Sequence, residues 1–162
     1  MWIFLPRPPA SGTASSAFRP RKGISPILSP ELLKILMEMG HGDEICIGDG
    51  NFPAASMAQR LVRLDGHGVP EILEAILKLM PLDPYVESPV ALMAVVPGDK
   101  VETPIWDVYH ELCDKSEGKK VSFEHMERFA FYERAKKAYC VVMSGESAIY
   151  ANIILKKGVV KE

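Results

Sequence analysis

From Gly23 onward the apolar positions follow two alternating rhythms. Leu32, Leu33, Leu36 and Met39 recur at the spacing of one helix face. Ser29 as cap, Pro30 at the first position and Glu31 in the first turn open that helix, and Gly40 is the expected left-handed terminator. The short apolar run from Glu44 to Gly48 reads as a buried strand, after which Asp49, Gly50 and Asn51 turn the chain. Leu61 to Leu64 reads as a second strand, and Val69 to Leu79 as an amphipathic helix with Pro70 at its start and Pro81 beyond its end. PVALMAVVP, residues 89–97, is apolar nearly throughout, as buried sheet strands are. Thr103-Pro104 opens a third helix reaching about Cys113, and residues 119–126 are a fourth strand. A helix over residues 128–139 follows, then the strands YCVVMSG and YANIILKKG on either side of a Glu146-Ser147 turn. This alternation predicts an α/β fold: a single three-layer domain over residues 23–162, with a mainly parallel sheet and helices on both faces.

At 162 residues the chain is long enough for one domain with a sizeable core. No apolar run nears the eighteen or so residues of a membrane helix, so no membrane partner is expected. Charge is unevenly spread. Residues 1–22 hold Arg7, Arg19, Arg21 and Lys22 with no acidic residue, leaving 15 basic against 21 acidic groups in the body. A body at formal −6 lacks the clustered positive charge that nucleic acid requires, and a small neutral ligand fits better. Residues 1–22 show no sustained period and are expected to be a disordered or targeting extension. Their basic, acid-free, serine-bearing makeup is that of an organellar transit peptide, although five Pro or Gly residues spoil an amphipathic helix. Cys46, Cys113 and Cys140 are odd in number and form no CxxC pair, which points to buried free thiols in a reducing compartment. The expected location is the cytoplasm, with organellar import through residues 1–22 as the alternative.

The chemistry-bearing residues are few. His41, His67, His110 and His125 show no metal-site spacing, and the dinucleotide, P-loop and nucleophile-elbow motifs are all missing, so neither metal nor cofactor is expected. His41 lies between Gly40 and Gly42-Asp43, a setting that exposes its ring; taken alone, it reads first as a complement to the helix dipole. Asp49 follows a strand end, where a carboxylate either caps a turn or meets a ligand at the carboxyl edge of an α/β sheet. Were residues 41–49 all extended, their Cα atoms would stand roughly 26 Å apart at about 3.3 Å per step, too far for one small ligand. Either the HGD turn folds back on the strand, or each site takes His41 from one chain and Asp49 from a neighbour; the second is preferred.

The stretches ISPELLKILMEMGHGDEI, DGNFPA, LDPYVESP, ERFAFYERAKKA and GESAIYANIILKKGV lie in order over about 140 residues and closely resemble the fucose branch of the ribose pyranase and fucose mutarotase family. That resemblance implies a cofactor-independent isomerase that interconverts the α and β anomers of a free monosaccharide, L-fucose above others, with pyranose–furanose exchange of ribose as a further activity. It implies His41 as the catalytic general acid and Asp49, Arg128, Tyr150, Ala151 and Asn152 as substrate-binding residues. Arg128 stands where the ribose branch has histidine, which favours fucose. It also implies a ring-shaped homo-oligomer with sites at subunit junctions. Tyr132 and Glu133 share a helix with Arg128 and are weighed evenly between supporting the site and plain packing. Gly48-Asp49-Gly50 is glycine-richer than the family pattern and is expected to loosen the site. The competing reading is a non-catalytic monosaccharide-binding or regulatory module, which would share every binding residue.

Overall fold

A computed structural model describes residues 20–162. Of the extension expected over residues 1–22, residues 1–19 lie outside that range. In chain order the elements are α1 (Pro30–Glu38), β1 (Glu44–Gly48), α2 (Ala54–Met57), β2 (Leu61–Leu64), α3 (Val69–Leu77), β3 (Val90–Met93), α4 (Ile105–Glu117), β4 (Phe123–Met126), α5 (Arg128–Lys137), β5 (Cys140–Ser144) and β6 (Ile153–Lys156). The strands form one sheet in the order β2-β5-β1-β6-β3-β4. β2, β5, β1, β3 and β4 run the same way, and β6 runs against both of its neighbours. The mainly parallel sheet is as expected. β6 reverses because only residues 145–152 separate it from β5, too few for the crossover that a parallel return needs.

Successive strand residues point to opposite faces, and both faces are covered. Ile45, Ile47, Val90, Leu92, Val142, Ile153 and Leu155 join Leu32, Ile35, Ile72, Ile76 and Tyr109 of α1, α3 and α4 in the larger core. Cys46, Ala91, Val141 and Ile154 face the other way, onto Phe52, Ala54, Phe131 and Ala135 at α2 and α5. Arg134 of α5 pairs with Glu44 of β1 and Glu124 of β4, tying this second layer to the sheet. The cysteines are free and fully buried, and burial pushes the thiols of Cys113 and Cys140 up to about 12, which keeps them protonated and unreactive.

Four local expectations need correction. The Ser29 side chain does accept from the Leu32 amide at 3.1 Å, but α1 ends at an extended Met39, not through a left-handed Gly40. The Asp43 carboxylate takes the Gly40 amide at 2.7 Å, and the left-handed turn falls on Gly42 (φ 87°). α4 continues past Cys113 to Glu117, where Gly118 at φ 67° supplies the terminator. β3 and β4 are four residues each, shorter than the stretches 89–97 and 119–126 expected for them, and β4, at the edge of the sheet, is only partly buried. The one-turn helix α2 was not expected: four residues are too few to display a helical period.

Candidate functional site

The parallel strands deliver their carboxyl ends to one edge of the sheet, and a cavity of about 210 Å³ opens there. It is walled by Asp49 and Asn51 after β1, Phe52 before α2, Met93 at the end of β3, Arg128 and Tyr132 on α5, and Ile149, Tyr150 and Asn152 ahead of β6, with Val96 at the rim. Four of the expected binding residues therefore meet: Asp49, Arg128, Tyr150 and Asn152. They converge because β6 pairs beside β1, with Ile47 opposite Ile153, bringing residues more than a hundred positions apart into register.

Asp49 is the buried charge of this site, 4% exposed. Burial raises its carboxyl above the ordinary range, amide donors from Asn51, Ala151 and Phe52 pull the other way, and the charge of Glu146 adds to the rise. One oxygen accepts from the Asn51 amide at 2.9 Å, so the turn-forming role coexists with a place in the cavity wall. The Asp49 amide donates to Asn152 Oδ1 at 2.8 Å, locking the two loops together. Arg128 donates from Nε to the Tyr132 hydroxyl at 3.1 Å, with its guanidinium 5.4 Å from the ring centre. Tyr132 thus belongs to the site, packed against Phe52 at 5.8 Å. Glu133 does not: it pairs with Lys136 on the exposed side of α5. Ala151 lies fully buried behind the wall, contributing backbone rather than a side chain to the cavity. The glycines around Asp49 tighten the site instead of loosening it, since a Cβ on Gly48 would sit 2.7 Å from the Phe52 side chain and one on Gly50 2.9 Å from the Glu146 carbonyl oxygen.

His41 is at the other edge. It precedes β1 and is about half exposed, with Nε2 3.2 Å from Oδ1 of Asp83 and its ring edge-on to Tyr85 at 5.7 Å. Asp83 is 4% exposed and also accepts from the Tyr85 amide at 3.0 Å. Burial pushes its carboxyl up, but the Tyr85 amide, His41 and Lys156 outweigh that and hold it below the ordinary carboxylate range. With Asp83 ionised, the proton of a neutral His41 sits on Nε2 and Nδ1 is left open. Nothing local marked Asp83 as a partner: it is 42 residues from His41, and only the bridge between Leu82 and Lys157 carries it alongside the end of β6. Tyr132 was signalled by its i, i+4 spacing from Arg128, whereas Phe52 and Met93 look like ordinary core residues in sequence.

A carboxylate, a guanidinium, an amide and two phenols around an aromatic wall suit a small, neutral, hydroxyl-rich ligand. Among the described residues no group of three or more His, Cys, Asp or Glu could hold a metal ion, and no helix is long and apolar enough to cross a membrane.

Comparison with known proteins agrees with this reading. The model of the RbsD / FucU transport protein family matches residues 22–160. The chain is 53% identical over 144 residues to the human fucose mutarotase, an alignment that takes in 85% of this chain and 93% of the human protein. The crystal structure of FucU from Bifidobacterium longum superposes with a TM-score of 0.84 at 59% identity, covering 86% of this chain and all of that one. The fucose mutarotase of Streptococcus pneumoniae, solved in complex with L-fucose, gives 0.83 at 50% identity over 87% of this chain and all of that one. Matched by the family model over nearly its whole described length, the chain belongs to the RbsD / FucU family.

Proposed function

We infer that this chain is an L-fucose mutarotase, an isomerase that exchanges the α and β anomers of the free sugar. The observation that carries this is the meeting of Asp49, Arg128, Tyr150 and Asn152 on one cavity, in a chain half or more identical to proteins named for that activity. Mutarotation opens a cyclic hemiacetal and recloses it on the other face. A proton must reach the ring oxygen while another leaves the anomeric hydroxyl, and both transfers lie within reach of an imidazole near neutral pH. In this reading His41 is that acid and base. Asp83 fixes the orientation of its ring, as a buried carboxylate does for a catalytic histidine. Asp49 and Asn152 hold sugar hydroxyls, Arg128 donates further hydrogen bonds, the Tyr150 hydroxyl, whose proton goes to Asp99, accepts one, and Phe52 and Tyr132 face the apolar side of the ring.

His41 belongs, on this proposal, to the site of a neighbouring copy. The contact is heterologous, the His41 edge of one chain against the Asp49 edge of the next, and repetition closes a ring. Exposed apolar side chains at both edges support it: Tyr85 stands beside His41, and Phe129 and Ile149 beside the cavity. The buried free thiols fit a reducing compartment, which we take to be the cytoplasm.

Saturation-transfer NMR on L-fucose, with protein far below sugar concentration, tests the reading. Faster α–β exchange is expected, with D-ribose slower on the same panel. Signal changes proportional to protein, without faster exchange, would identify a binding module instead.

A further inference from the structure

Tyr150 is the sole non-glycine among the described residues with a left-handed backbone, φ 54°, an unfavourable state for a tyrosine that surrounding contacts must impose. Those contacts come from α4, an element that takes no part in the cavity wall. The indole Nε1 of Trp106 donates to the Tyr150 carbonyl at 2.8 Å, and the hydroxyl of Tyr109 donates to the Ala151 carbonyl at 2.7 Å. Positions 106 and 109 share one helix face, so a single turn of α4 grips two successive carbonyls. Tyr109 is fully buried, and Trp106 is wedged against His125 at 5.0 Å, so neither donor is free to drift. On the far side the Tyr150 hydroxyl donates to Asp99 at 2.8 Å, and Asn152 holds the Asp49 amide. The strained segment is therefore gripped from behind at 150 and 151, immediately before the residue that meets Asp49.

We propose that Trp106 and Tyr109 are positioning residues: they hold Tyr150 left-handed and so aim Tyr150 and Asn152 at the ligand cavity. The proposal rests on reading that cavity as the sugar site. It assigns a task to α4, whose composition shows only an amphipathic helix.

The full chain carrying Trp106→Phe, and separately Tyr109→Phe, keeps an aromatic ring at each position, smaller at 106, and removes one donor. Amide hydrogen exchange of the peptide over residues 148–153, without ligand, is expected to quicken about 3- to 10-fold, the range one net hydrogen bond supports. KM for L-fucose is expected to rise by a similar factor while kcat changes less than about twofold, because the loop binds and His41 does the proton transfer. Combined with Asn152→Ala, the loss in kcat/KM should fall well short of additive, since both act through one loop. Unchanged loop exchange, or a fully additive loss, overturns the proposal. Should the wild-type chain bind L-fucose without speeding its exchange, the mutarotase reading falls, and calorimetric affinity replaces KM in judging these variants. Should it bind no sugar, the sugar reading falls and loop exchange alone decides whether α4 holds the segment.

Discussion

His41 and Asp49 bracket strand β1, one at its entry beside Asp83 and the other at its exit beside Asn152. Five strand residues span about 16 Å, so one monosaccharide cannot touch both within a single chain. If both act on one sugar, neighbouring copies must share the site.

An equal mixture of His41→Ala and Asp49→Ala chains, unfolded and reassembled together, should recover activity that neither shows alone. Random assembly around a heterologous ring gives about a quarter of junctions both native residues. Recovery near that fraction in an anomer-exchange assay supports the shared site, and no recovery removes it.

Replacing His41 by alanine should slow L-fucose exchange about a hundred- to ten-thousand-fold, the usual worth of a general acid. The fold should survive, because the ring is half exposed and makes one side-chain hydrogen bond. Circular dichroism would verify folding, and undiminished exchange would take His41 out of the mechanism. Asp83→Asn should give a smaller loss in the same assay, since the ring stays in place but its Nε2 loses the charged acceptor that orients it.

Stability should report the charge on Asp49. Burial raises its folded pKa above the unfolded one, so the folded state binds more protons, and ionisation weakens folding as pH rises from below the unfolded pKa through the folded one. Asp49→Asn removes that dependence. Its stability relative to wild type should therefore be greater at pH 7 than at pH 4 in urea titrations, while sugar affinity falls. An opposite trend with pH would mean that the amide donors around the carboxylate outweigh its burial.

Gly48→Ala should act on the cavity through Phe52. The added methyl would lie 2.7 Å from the Phe52 side chain, forcing that ring to move. Overpacking of this kind costs about 1–3 kcal/mol, and here the displaced ring is also a wall of the ligand site. A lowered Tm together with a raised KM is the expected pair; a stability loss with unaltered KM would show that Phe52 plays no part in binding.

The positions of most elements were legible because apolar spacing, caps and prolines act over a few residues. Ser29-Pro30-Glu31 starts α1, EICIG becomes β1 and LVRL becomes β2 as their patterns require. The residue types of the candidate site were also legible, through likeness to a family whose motifs run the length of the chain. Sequence could not determine which of those residues meet. The antiparallel insertion of β6 between β1 and β3 puts Asn152 on the Asp49 amide and carries Asp83 to His41, and strand order follows from burial of both sheet faces at once rather than from any local signal. The left-handed Tyr150 is likewise a tertiary decision: a tyrosine does not choose that conformation unaided, and the donors beside it lie on a helix more than forty residues away.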